Sequence, residues 1–458
     1  MEKALTVLRR ATAQPEASGE LFARLGVVYF QLNKIDLATN ATLTAIKKSP
    51  RSLPGYQNLF QFYAQAKQPA PALGVLNQAS KVSRVTPEFL VGLGELYLRF
   101  GFQYTEQKSA AHARALEIFQ RAAKSDLDEV SFQLRLADGL NALGKSELAS
   151  PVYEALLKNL PDVPSVRDNV RAKLADIYLR GTDRRRAAIL LEAIVQDHPT
   201  DARAYYFLGN IAVDETNFVK AVECFSKTVL LDPAFEPAYG ELASAQLALN
   251  KNAEAQATLA GGREKFPRRF LLEYLSGLTA SQQKDFTNAV QFLTTAEIIA
   301  QATDAKRLNY LFYFQFGSAC ERLGDLDQAA RHFEKCLELS PNFDEAQNYL
   351  GFMWVEHGRN LERARDLIDR ALKTEPKNPA YLDSMAWALL KLNQPQPALA
   401  FALRAVANSP EEDAEIFHHL GDIYAALGQT EKAREAWRNS LRLEPNELLR
   451  KKLDQGVP

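Results

Sequence analysis

The sequence predicts an all-α solenoid of about twelve stacked helix–turn–helix units, and three observations predict it. One residue spacing recurs along nearly the whole chain; a column of small residues keeps its place in each recurrence; and proline closes most of them. Phe22, Leu25, Gly26, Tyr29, Ala38, Ala45 and Pro50 show the spacing near the start, and Phe417, Leu420, Gly421, Tyr424, Ala433, Trp437 and Pro445 near the end. In both copies an alanine follows the tyrosine by nine residues and a proline follows that alanine by twelve.

Taken in order, the chain opens with Ala4, Leu8 and Ala11, which match the columns of a second helix. Residues 1–18 therefore read as a half-unit or an N-terminal capping helix. A lone second helix leaves apolar surface uncovered, so an upstream helix and a targeting peptide, trimmed from this sequence, are the other expectation. Units follow at 19–52, 53–86, 87–129, 130–163, 168–201, 202–235, 236–269, 270–303, 310–343, 344–378, 379–412 and 414–447, with a capping helix and tail at 448–458. The register rests on the second-helix alanine, present in every unit as Ala38, Ala72, Ala115, Ala149, Ala187, Ala221, Ala255, Ala289, Ala329, Ala364, Ala398 and Ala433. The first-helix small position fails only at Phe60, and the closing proline only at Arg84, Leu127 and Gln301. Insertions interrupt the register at about 102–114, inside the third unit, and at 304–309, where a partner could be met or nothing could.

Packing explains these columns. Antiparallel helices approach closely where both present small side chains, as Gly26 and Ala38 would, while Tyr29 and Phe225 fill the space beside them. Proline lacks an N–H and disfavours helix in the residue before it, so the second helix stops there. One unit cannot bury its apolar face alone, so stacking makes a continuous core. The chain length of 458 residues would otherwise suggest about three domains.

The spacing resembles the tetratricopeptide repeat (TPR), a 34-residue helix–turn–helix unit. The resemblance implies a right-handed superhelical solenoid that binds protein or peptide segments, with its first helices lining the concave groove. Positions 2, 5, 9 and 12 of each unit would point inward. In the early units these positions are polar: Gln57, Gln61, Glu88, Glu95, Asp138, Asn141 and Asp176. From the sixth unit they turn aromatic, with Tyr206, Tyr274, Phe314, Phe352 and Trp387, and Asn210, Asn348 and Asp383 stand among them. These eight are the candidate partner-binding residues, because exposed aromatics beside amide and carboxylate groups suit a peptide groove. Aromatics at helical spacing also pack neighbouring units together, so the stripe has two readings. The carboxylate clamp of chaperone-binding relatives is matched only by Arg203 and Asn210, since Gly240 and Glu241 stand where its next amide belongs.

Composition narrows the function classes. The chain carries 55 Lys and Arg against 56 Asp and Glu, so no global field draws nucleic acid or an anionic membrane. No stretch reaches the roughly 18 apolar residues of a membrane span. Three cysteines, Cys224, Cys320 and Cys336, form no C-x-x-C pair, and Cys320 and Cys336 fall on core columns. No catalytic motif is present; Gly92-Leu-Gly94 is half of a dinucleotide fingerprint placed inside a first helix. The adjacent His418 and His419 point about 100° apart on a helix, which does not suit a shared metal. Arg184-Arg185-Arg186 reads as a solvated turn and helix start rather than an RNA contact. No catalytic residue, cofactor or metal is expected.

A narrower resemblance lies near the C-terminus. Asn348-Tyr-Leu-Gly-Phe-Met-Trp-Val-Glu-His-Gly-Arg-Asn-Leu-Glu-Arg-Ala364, followed by Pro379-Ala-Tyr-Leu-Asp-Ser-Met-Ala-Trp387, is similar to the last units of bacterial cell-envelope TPR lipoproteins, including the extra residue in the Gly-x-Asn-Leu turn. That resemblance implies a tether or adaptor gathering envelope enzymes, such as proteases, with their substrates. No lipobox cysteine or signal peptide is visible, so an envelope location depends on the trimmed start, and a cytoplasmic one stands beside it. The expected function is a non-catalytic scaffold. The substrate-selecting arm of a glycosyltransferase-type complex and a cytoplasmic assembly factor are the other readings, and the oligomeric state stays open.

Overall fold

The computed structural model describes residues 1–125, 129–160 and 164–455, so the closing positions Leu127 and Pro161 and the tail residues 456–458 lie outside the described residues. Among the described residues there are 26 α-helices, two short 3-10 segments and no strand. The chain divides into two compact units, Met1–Ile211 and Ala212–Pro458.

In the first unit, α1 (Glu2–Thr12) leans on α2 (Gly19–Gln31), which pairs with α3 (Ile35–Lys48). The next pairs are α4 (Leu53–Gln65) with α5 (Pro69–Ser80), α6 (Pro87–Gln103) with α7 (Lys108–Ala122), α8 (Val130–Ala142) with α9 (Ser146–Asn159), and α10 (Pro164–Arg180) with α11 (Arg184–Asp197). The unit boundary falls within α12 (Ala202–Asp214). In the second unit α13 (Phe218–Leu231) packs on α14 (Pro237–Ala248), which pairs with α15 (Asn252–Lys265). There follow α16 (Phe270–Gln282) with α17 (Phe286–Thr303), α18 (Tyr310–Leu323) with α19 (Leu326–Leu339), and α20 (Asp344–Glu356) with α21 (Leu361–Thr374). Last come α22 (Pro379–Lys391) with α23 (Pro395–Asn408), α24 (Ala414–Ala426) with α25 (Thr430–Leu443), and the short α26 (Glu447–Gln455).

The alanine column is sealed. All twelve second-helix alanines, from Ala38 to Ala433, have 0 % of their surface exposed. The small residue of the first helix faces a slightly different neighbour than its spacing suggests. A Cβ placed on Gly26 would sit 3.1 Å from the Ala38 carbonyl oxygen but only 2.3 Å from Thr42 Oγ1. The same holds for Gly94 against Phe119, Gly277 against Leu293, Gly317 against Phe333, Gly351 against Ile368 and Gly421 against Trp437. In each pair the intruding side chain stands four residues after the alanine, one helical turn on. The small column therefore admits a large side chain from the second helix, besides allowing two small faces to meet.

Helix ends follow local chemistry. Between the helices of most pairs one residue takes a left-handed backbone, which glycine adopts without a Cβ clash. Gly324 does so at φ +88°, but Lys67, Thr182, Thr216 and Lys284 do so with side chains, at φ +55°, +66°, +56° and +61°. The extra residue of the Gly358-Arg359-Asn360-Leu361 turn is absorbed by two left-handed positions, Gly358 and Asn360. Second helices α11, α13, α17 and α19 start on an Asp or Asn whose side chain accepts a backbone N–H of the first turn. At three of the closing prolines the carbonyl is met by the next first helix: Tyr56 Oη donates to Pro50 O (3.1 Å), Tyr239 Oη to Pro233 O (3.2 Å) and Gln347 Nε2 to Pro341 O (2.6 Å).

The insertion at 102–114 lengthens α6 and α7 and joins them by a 3-10 turn, Thr105–Gln107. Phe102 stays exposed there, edge-on to His112 at 5.5 Å. The residues 304–309 hold a second 3-10 turn, Ala305–Arg307, and the Arg307 guanidinium lies 5.7 Å from the Phe270 ring centre. Cys224, Cys320 and Cys336 are all reduced and buried. No helix among the described residues is long and apolar enough to cross a membrane.

Candidate partner-binding groove

Four of the polar groove positions of the first unit, Glu95, Asp138, Asn141 and Asp176, are already engaged with neighbours. Glu95 on α6 holds Arg135 of α8 (Nε–Oε1 2.7 Å), and Asp138 on α8 holds Lys173 of α10 (2.6 and 2.7 Å). Arg180 reaches both Asp176 (2.7 Å) and Asn141 (3.1 Å). These residues stand where the polar early groove is expected, and two half-exposed ion pairs and one arginine–amide bond link consecutive first helices α6, α8 and α10. The basic run is engaged too: Arg186 meets Asp183 (2.8 Å) and Glu154 (3.4 Å), and Arg184 donates to the Leu179 carbonyl (2.7 Å).

The second unit differs. Its first helices α20, α22 and α24 lie side by side and wall a groove of about 520 Å³, with Glu321 and Arg322 of α18 at one end. Asn348, Tyr349, Phe352 and Glu356 come from α20, Pro379, Ala380 and Asp383 from α22, and Asp413 and Glu415 from the start of α24. Asn348 and Asp383 occupy equivalent places on α20 and α22, 35 residues apart. The Oδ1 atoms of both are buried and have no hydrogen-bond partner.

A polar cluster stands behind the Asp383 wall. His419 Nδ1 donates to Asp383 Oδ2 at 2.7 Å, and its ring stacks on Trp387 with centres 4.1 Å apart and planes 15° apart. Trp387 Nε1 donates to Glu356, and the Lys391 ammonium lies 4.3 Å from the indole centre. Burial pulls the His419 pKa down, but Asp383, Glu415 and Glu356 outweigh it and hold it above the usual histidine range. Desolvation in the groove wall raises the Glu415 carboxyl, with Asp383, Asp413 and Glu356 adding to it and His419 opposing. A smaller cavity of about 320 Å³ lies between α19 and the α20–α21 turn, and four of its charges are paired: Arg359 with Asp327 (2.8 Å) and Arg363 with Glu334 (2.9 Å).

Of the eight candidates, the structure brings Asn348, Phe352 and Asp383 together on the groove. Trp387 is not an exposed aromatic of this surface: it is 8 % exposed, because His419 of the next unit covers its ring. Asp383 is 5 % exposed and acts as a buried wall with one free acceptor. Phe314 is half-buried and packs edge-on against Phe343 and Tyr349, at 5.2 and 5.4 Å. Tyr274 joins a cluster with Phe270 and Phe312 (5.7 and 5.8 Å), and its hydroxyl pKa is raised by desolvation. For these two the packing reading describes the contacts. Tyr206 lies against Phe207 at 5.8 Å in the first unit, with Asn210 half-buried on the same helix. Glu356, Asp413, Glu415 and His419 were missed. Glu415 stands at position 2 of its unit, so the positional rule that selected Asn348 would have found it had it been carried into α24. Among the described residues no His, Cys, Asp and Glu group could hold a metal.

A family model described as tetratricopeptide repeat matches residues 163–447. Among curated proteins, the chain is 26 % identical over 225 residues to the TPR repeat-containing protein PA4667 of Pseudomonas aeruginosa, covering 48 % of this chain and 36 % of that one. It is 22 % identical to anaphase-promoting complex subunit 3 of Schizosaccharomyces pombe, covering 52 % of this chain and 30 % of that one, and 22 % identical to the CTR9 homolog of Arabidopsis thaliana, covering 80 % and 33 %. The chain thus spans about a third of the length of these relatives. Among solved structures it is similar to the anaphase-promoting-complex assembly Cut9–Hcn1, at 15 % identity over 99 % of both chains with a TM-score of 0.45. It is also similar to YrrB, described as a TPR protein with an unusual peptide-binding site, at 17 % identity over 43 % of this chain and 98 % of that one, with a TM-score of 0.38.

Proposed function

Because the chain belongs to the tetratricopeptide repeat family, whose members generally act as protein-interaction scaffolds, we propose that it is a non-catalytic adaptor holding a segment of a partner protein on the first helices of its second unit. The observation that carries this reading is the groove walled by α20, α22 and α24, which combines the half-buried ring of Phe352 with two unpartnered acceptors, Asn348 Oδ1 and Asp383 Oδ1. An apolar contact beside unsatisfied polar atoms is what an extended segment uses, burying a side chain and hydrogen-bonding at the same time. The proposal extends to a tether that brings an envelope enzyme, such as a protease, to its substrates in a bacterial cell envelope. The residues that support this finer step are those of 348–387, by their similarity to envelope lipoproteins.

The test is crosslinked capture from native extract with the wild-type chain and Phe352→Ala side by side. Phe352 is only half-buried, so its truncation leaves the helix pair folded, which circular dichroism verifies. The expected outcome is a partner set recovered by wild type and depleted at least about tenfold by the variant, the range of a central interface residue. Equal recovery by both chains would place the partner elsewhere and overturn the groove assignment. Recovery of periplasmic or outer-membrane proteins would support the envelope step, and of cytosolic proteins alone would reject it.

A further inference from the structure

The chemistry of the groove narrows what it accepts, on the premise that it is the partner site proposed above. Five carboxylates line it: Glu321, Glu356, Asp383, Asp413 and Glu415. Against them stand Arg322, which lies 3.4 Å from Glu321, His357, whose Nδ1 donates to the Met353 carbonyl at 2.8 Å, and, behind the wall, His419 on Asp383 Oδ2 at 2.7 Å. Asp413 also caps α24, accepting from Glu415 N at 2.8 Å and Ile416 N at 3.2 Å. Glu356 and Glu415 remain at the surface, and burial already pushes the Glu415 carboxyl towards its proton.

Acidity alone would say little, but Asp383 adds an independent observation. Its side chain lines the groove and is 7 % exposed; one oxygen is held by His419, and the other is buried and meets no donor. A buried carboxylate oxygen without a donor is costly, and every acceptor near it asks for the same thing. Asn348 Oδ1, one helix away in the equivalent position, is a second buried acceptor without a partner. Two acceptors on adjacent helices, one of them anionic, match a donor-only group with several N–H bonds in one plane. An arginine guanidinium has five such donors and no acceptor, whereas a carboxylate or phosphate would bring repulsion and more acceptors.

We propose that this groove receives a basic peptide segment, with an arginine side chain set between Asn348 and Asp383, its stem along Phe352, and Glu356 and Glu415 at the rim. The recognised feature is thus positive charge.

The experiment is fluorescence anisotropy on the full chain with three labelled twelve-residue peptides of one alternating alanine pattern, in which every third residue is arginine, glutamate or leucine. The arginine peptide should bind at least about tenfold more tightly than either of the others, and should weaken about fivefold or more when salt rises from low to high, since the rim charges are screened. Asp383→Asn should lower its affinity about tenfold, and Glu415→Gln about threefold. Glu415 is an exposed residue, so Glu415→Gln tests charge at nearly constant shape, and circular dichroism checks the fold of both variants. Binding of the arginine peptide that neither substitution weakens would overturn the site while leaving a peptide-binding role standing. Tighter binding of the leucine or glutamate peptide would overturn the charge assignment alone. No binding of any peptide would overturn the proposal; the scaffold reading falls only if crosslinked capture also recovers no partner.

Discussion

A methyl group with no exposed surface, repeated twelve times, means that each helix pair is closed to within one carbon atom. At Gly421 the space for that carbon is already taken, because a Cβ there would lie 2.2 Å from Trp437 Cδ1. Gly421→Ala should therefore destabilise the chain by about 1–3 kcal/mol, the cost of overpacking a close contact, measured as a lower urea midpoint. His332 gives the second residue-scale expectation. Its ring stacks on Phe316 at 3.8 Å, and burial, with Arg331 nearby, pushes its pKa from 6.5 down to about 4. The unfolded chain then binds more protons than the native one between those values. Its contribution is complete above pH 6.5 and fades as pH falls towards 4, by about 1–2 kcal/mol after allowance for partial exposure. His332→Phe should lose less stability than wild type when urea denaturation is compared at pH 7 and pH 4.5. These packing positions were legible in the sequence because a 34-residue period repeats the same neighbours. Trp387 was not, since the residue that covers it, His419, belongs to the following unit and breaks no column.

Among the elements, the turns carry the most local strain. Thr182 and Thr216 are β-branched residues held at φ +66° and +56°, where the Cβ crowds the following carbonyl. Replacing either by glycine should raise stability by about 0.5–1 kcal/mol, the relief of the clash less the greater freedom of the unfolded chain, and thermal unfolding of each variant would show it. An unchanged or lower midpoint would mean that the threonine side chain makes a compensating contact. Sequence reading located these turns by the alanine column but had no signal for their conformation, because Lys67, Thr182, Thr216 and Lys284 are not the residues that announce a left-handed backbone. The groove was half legible for a related reason. Asn348, Phe352 and Asp383 follow the positional rule of first helices, whereas the partner of a polar residue there stands a whole unit further on: Arg135 lies 40 residues after Glu95 and Lys173 35 after Asp138, while His419, 36 after Asp383, takes one carboxylate oxygen and leaves the other without a donor.

For the whole molecule, stacked units mean that stability is assembled from neighbours. The short α26 lays Leu449, 1 % exposed, over Ala433 and Trp437. Leu449→Ala should cost about 2 kcal/mol locally and shift Trp437 emission to the red, while amide exchange quickens only within α24 to α26 and not around α2 and α3. Quickening throughout both units would instead mean a single cooperative fold. The division at residues 211 and 212 gives the same measurement a second use, as the two units can be followed separately.

The buried thiols turn this into chemistry. Burial pushes Cys320 and Cys336 up to about 12, so while α18 and α19 are packed neither offers a thiolate to an oxidant or an alkylating reagent. Each opening of that helix pair restores ordinary cysteines for as long as it lasts. A reagent present continuously would mark every such event irreversibly, and the marked fraction, read by mass, would record how often the wall beside the groove comes apart.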